Sequence, residues 1–281
     1  MATSFQMIKS LLLAITIATT LHAQSLTLYG DSTPGTCMIG HSEELENVSL
    51  NGKDLSFDKN GFFVFGFDRD DTGTYYLQIK YNSGKSEVRK FSLTKREYDI
   101  QRINNMKEKY VSPPKTELAR IEKERAIIKK AELKFGEVDS ACYIKGFVNP
   151  IRSGRITGVF GSQRILNGVP KDPHNGTDIA SPKGTPVYCM SDGIVLMTAD
   201  NFYYRGNFIL VDHGQGLNSK YLHLSKIFVE EGDLVKKGEL IGEIGSTGRS
   251  TGPHLHWGVQ WFDKRIDPES LLKLDMLLPK N

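Results

Sequence analysis

Histidine recurs in three short stretches in the second half of the chain, and its neighbours decide what chemistry is open to it. In "GPHLHWGV", residues 252–259, His254 and His256 stand two apart in a segment with the apolar content of a strand. Side chains two apart on a strand share a face. His254 and His256 therefore lie with Gly258, while Leu255, Trp257 and Val259 form the opposite, core-facing side. The histidine side points at something polar. Two adjacent charged imidazoles repel, and a bound divalent cation removes that conflict by holding at least one of them neutral. In "DPHNGTDIASP", His174 and Asp178 are four apart, but Asn175-Gly176 argues against a helix. A turn running into a strand can still bring both side chains to one point. In "SKYLHLS", alternation puts Tyr221, His223 and Ser225 on one face and Leu222 and Leu224 on the other.

A His, a carboxylate and a second His make the ligand set of a catalytic zinc, which leaves a fourth position for water. Structural zinc sites usually close all four positions with cysteine-rich sets. The three cysteines, Cys37, Cys142 and Cys189, lack zinc-motif spacing, so any metal site is built from His and carboxylate. Plainer readings stand beside this one. Paired histidines also occur in strands by chance, and His223 alone would be an ordinary structural residue. His213, in the Gly-rich "VDHGQG", reads as structural and His41 as a surface residue. Cys189, in "TPVYCMSDG", reads as a buried small hydrophobe. An oxidising compartment permits one disulfide among the three cysteines, with the pair left open.

The elements that must position these residues are mostly strands. From about 143 to 270, glycine turns separate "RITGVFG", "TPVYCM", "GIVLMTA", "NFILVDHG", "SKYLHLS" and "LIGEIG". This pattern predicts a compact antiparallel β domain, and it holds five of the seven histidines. Residues 24–95 contain short alternating segments separated by Asn51-Gly52, Asn60-Gly61 and Ser83-Gly84, as in a small β-sandwich-like domain. Residues 96–142 are highly charged and rich in helix formers, broken at Ser112-Pro113-Pro114. Leu118, Ile121, Ile128 and Leu133 recur there at roughly helical spacing, which predicts a helical linker packed on a neighbouring domain; a partner-binding helix is the alternative. Residues 271–281 read as a C-terminal tail, and the fold class is mainly β.

Residues 1–23 have the pattern of a secretory signal peptide: Lys9, an apolar run from Leu11 to Ile17, then small and polar residues to Ala23. The run is shorter than the ~20 residues of a spanning helix, no cysteine near the cleavage site suggests a lipid anchor, and no span is expected in the mature chain. The formal charge of +3 is too small and too evenly spread for nucleic-acid binding.

"HNGTD", "YLHLS" and "STGRSTGPHLHWGV", with the approach "GRITGVFGSQR" and the segment "GDLVKKGELIGEIGSTG", closely resemble the LytM/lysostaphin-type zinc metallopeptidases, which hydrolyse peptides of bacterial cell walls. The likeness covers roughly 145–270. It implies that His174, Asp178 and His256 hold one zinc ion per chain and that His223 and His254 act as catalytic residues facing the fourth ligand and the substrate carbonyl. These two would share the handling of the attacking water and the stabilisation of the oxyanion, with the division between them open. There is no His-Glu-x-x-His helix to supply a glutamate base, and a neutral imidazole suits that task. The upstream regions look like those of exported Gram-negative members. This implies a periplasmic protein acting on peptidoglycan stem peptides, at the D-Ala–meso-diaminopimelate cross-link rather than at glycine bridges. It also allows a regulatory protein partner, or control of access by residues 24–140.

Loops around Arg164–Lys171 and Asn201–Gly206 are expected to wall a peptide groove. Arg164, Arg205 and Arg249 read as surface arginines, with contact to a stem-peptide carboxylate as the functional alternative. Some members of the family have lost the zinc site and instead activate wall amidases. The presence of all five positions argues against that reading. It also argues against a metal-storage module, which leaves His223 without a use.

Overall fold

The structure is a computed structural model and describes residues 26–275. The expected signal peptide over 1–23 lies outside the described residues, as do residues 276–281 of the expected tail. Strands β1 (Thr27–Tyr29), β2 (Cys37–His41) and β5 (Phe62–Gly66) form one sheet. β3 (Leu45–Leu50), β4 (Lys53–Asp54), β6 (Gly73–Tyr81) and β7 (Ser86–Leu93) form a second, in the order β4-β3-β6-β7. β5, "FFVFG", has no polar face, and both of its faces are covered. Phe65 meets Phe91 of β7 at 5.7 Å between ring centroids, and Phe67, just past the strand, meets Tyr75 of β6 at 5.0 Å. On the other face a Cβ at Gly66 would come within 2.8 Å of Ile266. One hydrophobic core therefore runs from Ile39 and Phe65 through Tyr143 to Trp257 and Leu271.

The next segment departs from its helical reading. β8 (Ile100–Ile103) pairs in parallel with β10 (Gln163–Leu166), whose other neighbour is β11 (Val169–Pro170). Helix propensities of a few tenths of a kcal/mol per residue yield here to a main-chain ladder. Helix is confined to α1 (Glu108–Val111) and α2 (Lys115–Glu132). α2 starts after Pro114, a residue tolerated at a helix start because no bonded N–H is needed there. Ile128 and Ala131 of α2 pack on Leu196, Met197, Phe208 and Leu210. Leu118 and Leu133 do not share that stripe and are 49% and 74% exposed. At 100° per residue, Leu133 lies about 120° around the axis from Ile121.

The remaining strands are β9 (Arg155–Gly158), β12 (Thr177–Ala180), β13 (Pro186–Tyr188), β14 (Gly193–Phe202), β15 (Gly206–Asp212), β16 (Leu217–Ile227), β17 (Leu234–Val235), β18 (Leu240–Ile244), β19 (His254–Trp261) and β20 (Lys264–Ile266). They make a 10-stranded sheet whose main path is β17-β14-β15-β16-β19-β12-β9. Helix α3 (Pro268–Asp275) closes it with Leu271 and Leu274 buried, so the start of the expected tail is packed helix. No helix among the described residues is long and apolar enough to cross a membrane.

Cys37, Cys142 and Cys189 are all free thiols, and the disulfide the sequence permits is not formed. Burial pushes the Cys37 thiol up to about 12 and that of Cys189 up to about 11, which leaves both unreactive. His41 is half-buried rather than on the surface, its ring 4.3 Å from that of Phe62.

Candidate metal centre and substrate groove

Antiparallel pairing of β12 with β19 sets Asp178 directly opposite His256, so their side chains leave the sheet as cross-strand neighbours. His174 reaches the same point from the preceding turn, where its N–H donates to Ser162 O and its carbonyl accepts from Gly161 N–H. The turn tolerates only glycine at Gly176, where a Cβ would lie 2.4 Å from Trp257 O and 2.9 Å from His256 Nε2. His174 Nε2 is 3.0 Å from both Asp178 Oδ1 and His256 Nδ1, and His256 Nδ1 is 2.8 Å from Asp178 Oδ1.

Proton placement decides which atoms this triangle offers. His174 Nδ1 donates to the Val159 carbonyl at 3.0 Å, which leaves Nε2 as the nitrogen that faces the carboxylate. Burial pushes His256 down to about 4, so its imidazole is neutral at pH 7. Burial alone would raise the Asp178 carboxyl, but its bonds with His174 and His256 outweigh this and hold it well below the usual carboxylate range. One ring nitrogen of each histidine therefore meets an ionised carboxylate, and a cation can take the place of the bridging protons. Zinc fits the donor set, because bonds of about 2.05 Å to tetrahedral ligands give donor separations of about 3.3 Å. The observed spacing needs to open by only a few tenths of an ångström. Among the described residues, these three are the one group of His, Cys, Asp or Glu side chains close enough to hold an ion.

Arg164, expected at the surface, donates instead to the second Asp178 oxygen, Oδ2. Its Nε donates to Gln101 Oε1 at 3.1 Å, while the Gln101 amide donates to Thr157 O at 2.9 Å. The parallel register of β8 and β10 places Arg164 opposite Gln101. Nothing in the local sequence around Gln101 signals this contact; it depends on a pairing between segments about sixty residues apart.

His223 breaks the strand alternation. On β15 and β16, Ile209 faces Tyr221 but Asn207 faces Leu224, so β16 carries one extra residue. That residue is accommodated at His223, whose φ is 67°. A bulge of this kind re-aims side chains and is common next to functional sites. Tyr221 and Leu224 consequently both enter the core, while Leu222 and His223 both line the groove. The face expected to join Tyr221, His223 and Ser225 does not exist.

His223 Nδ1 donates to Thr247 O at 2.8 Å and His254 Nδ1 to Gly252 O at 2.8 Å. Each therefore keeps an unprotonated Nε2. Their ring centroids are 4.8 Å apart, and His254 Nε2 lies 3.9 Å from Asp178 Oδ1. Burial, reinforced by His254 and His256 nearby, holds His223 neutral, well below the usual histidine range. His213 stays out of this group: it is fully buried, donating to Asp192 O at 2.7 Å with the Ser219 hydroxyl 2.8 Å from Nε2.

The centre opens into a groove of about 1240 Å³ that runs past α1, α2 and the β10–β11 hairpin. Nine Lys or Arg side chains line it against three Asp or Glu. The whole chain has 36 against 33, so positive charge is concentrated where a ligand would lie.

Comparison with known proteins falls on the same residues. Residues 172–268 match peptidase family M23. The peptidoglycan DD-endopeptidase ShyA of Vibrio cholerae is 55% identical over 85 residues, which is 30% of this chain and 20% of ShyA. ShyB of the same organism, another peptidoglycan DD-endopeptidase, is 40% identical over 133 residues, 47% of this chain and 28% of ShyB. The chain thus spans under a third of the length of these curated relatives. In three dimensions, a Pseudomonas aeruginosa protein assigned to peptidase M23 superposes with a TM-score of 0.63 at 27% identity, over 87% of this chain and 96% of that one.

Proposed function

We propose that this protein, whose residues 172–268 match peptidase family M23, is a zinc-dependent endopeptidase. It hydrolyses peptide cross-links of bacterial peptidoglycan, by this reading the D-Ala–meso-diaminopimelate bond, in the periplasm after export. The observation that carries this is the convergence of His174 Nε2, Asp178 Oδ1 and His256 Nδ1 within 3.0 Å of one another beside two imidazoles with free Nε2 atoms. The endopeptidase relatives support the substrate class. A binding module without catalysis would have no use for this full set.

His174, Asp178 and His256 would hold the zinc, and Arg164 would fix the carboxylate's orientation through Oδ2. Bound zinc supplies Lewis acidity, lowering the pKa of a water toward about 7 and polarising a carbonyl. The residues then handle protons. His223 and His254 offer Nε2 as acceptors because Thr247 O and Gly252 O hold their Nδ1 protons. As the peptide C–N bond gives way to a C–O bond, one Nε2 takes the water's proton and returns it to the leaving amine. Once protonated, it also donates to the developing oxyanion. Burial of His223 keeps that imidazole neutral and ready to accept.

The test is digestion of purified cross-linked peptidoglycan by the zinc-loaded protein, with dimeric muropeptides converting to monomers. His256→Ala should lose both zinc and hydrolysis, and full activity in that variant overturns the ligand assignment. His223→Ala should keep zinc and lose at least ~10²-fold in rate. Loss of zinc there would move His223 into the ligand set.

A further inference from the structure

Two arginines beside His223 stand without a directly paired acid among the described residues. Arg205 and Arg249 line the groove, and both are partly buried. Among the described residues neither guanidinium makes a hydrogen bond or an ion pair; their partners are ring faces, Phe208 for Arg205 and Tyr204 for Arg249. The acids of α2 whose charge reaches Arg205 are engaged elsewhere, Glu132 with Lys220 and Glu124 with Arg120, and Asp178, whose charge reaches Arg249, is bound by Arg164. Burial lowers the pKa of both arginines; at Arg205 the charge of Glu132 opposes this and Arg249 adds to it, and at Arg249 Arg164 adds to it while Asp172 and Asp178 oppose it. Arginine does not shed its proton in proteins, so an anion bound between these side chains would offset the cost of burial that remains.

The backbone fixes where that anion would sit. His223 N–H donates to Arg205 O at 3.1 Å, and Arg249 N–H donates to Tyr204 O at 2.9 Å. Thr247, two residues before Arg249, holds His223 Nδ1. The same two loops therefore carry both arginines and orient a proposed catalytic imidazole.

We propose that Arg205 and Arg249 form a carboxylate-binding subsite next to His223, selecting a scissile bond whose leaving amine bears a free carboxylate on its α-carbon. The proposal rests on the endopeptidase reading and narrows it. Such a carboxylate lies three bonds from the reacting carbonyl carbon, within reach of side chains anchored one hydrogen bond from His223. In a D-Ala–meso-diaminopimelate cross-link, the carbon bearing the scissile nitrogen carries a free carboxylate. Inside a glycine bridge the equivalent carbon leads only to another amide. Arginine pairs bind a carboxylate in a fork geometry that a carboxamide cannot reproduce.

The experiment compares two cross-linked muropeptide dimers that differ only at this group, free carboxylate against carboxamide, with the full zinc-loaded chain. The wild type should cleave the carboxylate form with kcat/KM at least ~10-fold higher, mainly through KM. R205M/R249M should bring the ratio close to one, with about one zinc per chain as the check on its fold. If the double variant does not hold zinc, R205M and R249M alone are each expected to shrink the ratio. Equal cleavage of both dimers by the wild type overturns the subsite and leaves the endopeptidase standing. A preference that survives in the variants overturns the assignment to these arginines. Cleavage of neither dimer overturns the endopeptidase reading and the subsite with it.

Discussion

His174, His223 and His254 each give their Nδ1 proton to a main-chain carbonyl, so two loops, the one after β9 and the one between β18 and β19, decide which nitrogen faces the site. Asp178 is held in the same spirit, by Arg164 on Oδ2. Outer contacts of this kind typically account for 10–100-fold in metal affinity. Arg164→Met is therefore expected to weaken zinc binding by about that factor, read by competition with a chromophoric chelator. Unchanged affinity would mean the guanidinium only fills space. A second prediction concerns Asp212, whose Oδ2 is buried with no partner among the described residues. Burial raises its carboxyl from 3.8 to about 6. A raised folded-state pKa means the contribution to stability is present below about pH 4 and lost as pH rises through 6, about 3 kcal/mol in all. The adjacent His213, lowered by burial from 6.5 to about 4, has the opposite slope over the same window and masks the loss. Asp212→Asn should thus gain on the wild type by about 3 kcal/mol between pH 4 and 7 in urea titrations; a constant difference would contradict it. The paired histidines at 254 and 256 were legible because period two is a local property of a strand. Arg164 and Gln101 were not, because their meeting depends on a register that no local window contains.

Strand β16 shows where alternation stops being a guide. Its pattern assigned Tyr221 and His223 to one face, yet the extra residue at His223 sends them to opposite sides. The bulge is held by loops that approach more closely than side chains permit. A Cβ at Gly248, where φ is 68°, would lie 2.3 Å from Gly206 N, and one at Gly206, where φ is 65°, would lie 2.1 Å from Thr247 Oγ1. These glycines were visible in the sequence as turn residues, but not as the contact that orients His223. Gly248→Ala is expected to destabilise the fold by roughly 1–3 kcal/mol and to reduce hydrolysis more than zinc content, since the ligands lie on other elements. Urea midpoints and zinc per chain, measured on one preparation, check this. Activity that falls only in step with zinc would place the strain at the metal centre instead. Strand β8 failed as a sequence reading for a related reason: weak helix preference in a short charged segment is decided by whatever edge lies beside it, here β10.

Composition divides the chain into sandwich, linker and histidine-bearing sheet, whereas packing joins them. The signal for this was present in β5, where "FFVFG" offers no face to water, though a sandwich strand needs only one buried side. Its second face lies on Trp261 and Ile266, and the joint is bordered by Asp68–Arg265, Asp71–Lys264 and Arg96–Asp267 ion pairs. Burial would raise the Asp68 carboxyl, but its bonds to Arg265 outweigh that and hold it low. This pair supports the joint above about pH 4 and is lost as pH falls further. On the far side of the sheet, α2 covers Leu196, Met197, Phe208 and Leu210. A fragment of residues 143–281 would expose both surfaces at once. At about 25 cal/mol per Å² of apolar area, such exposure amounts to several kcal/mol, a large part of the total for a domain of this size. The fragment should therefore unfold at a midpoint roughly 10 °C or more below the full chain, or aggregate, in differential scanning calorimetry of the two zinc-loaded proteins. A fragment that matches the midpoint of the 281-residue chain would show that the ten-stranded sheet closes its own core, and that the upstream half is a separable module rather than part of the same structure.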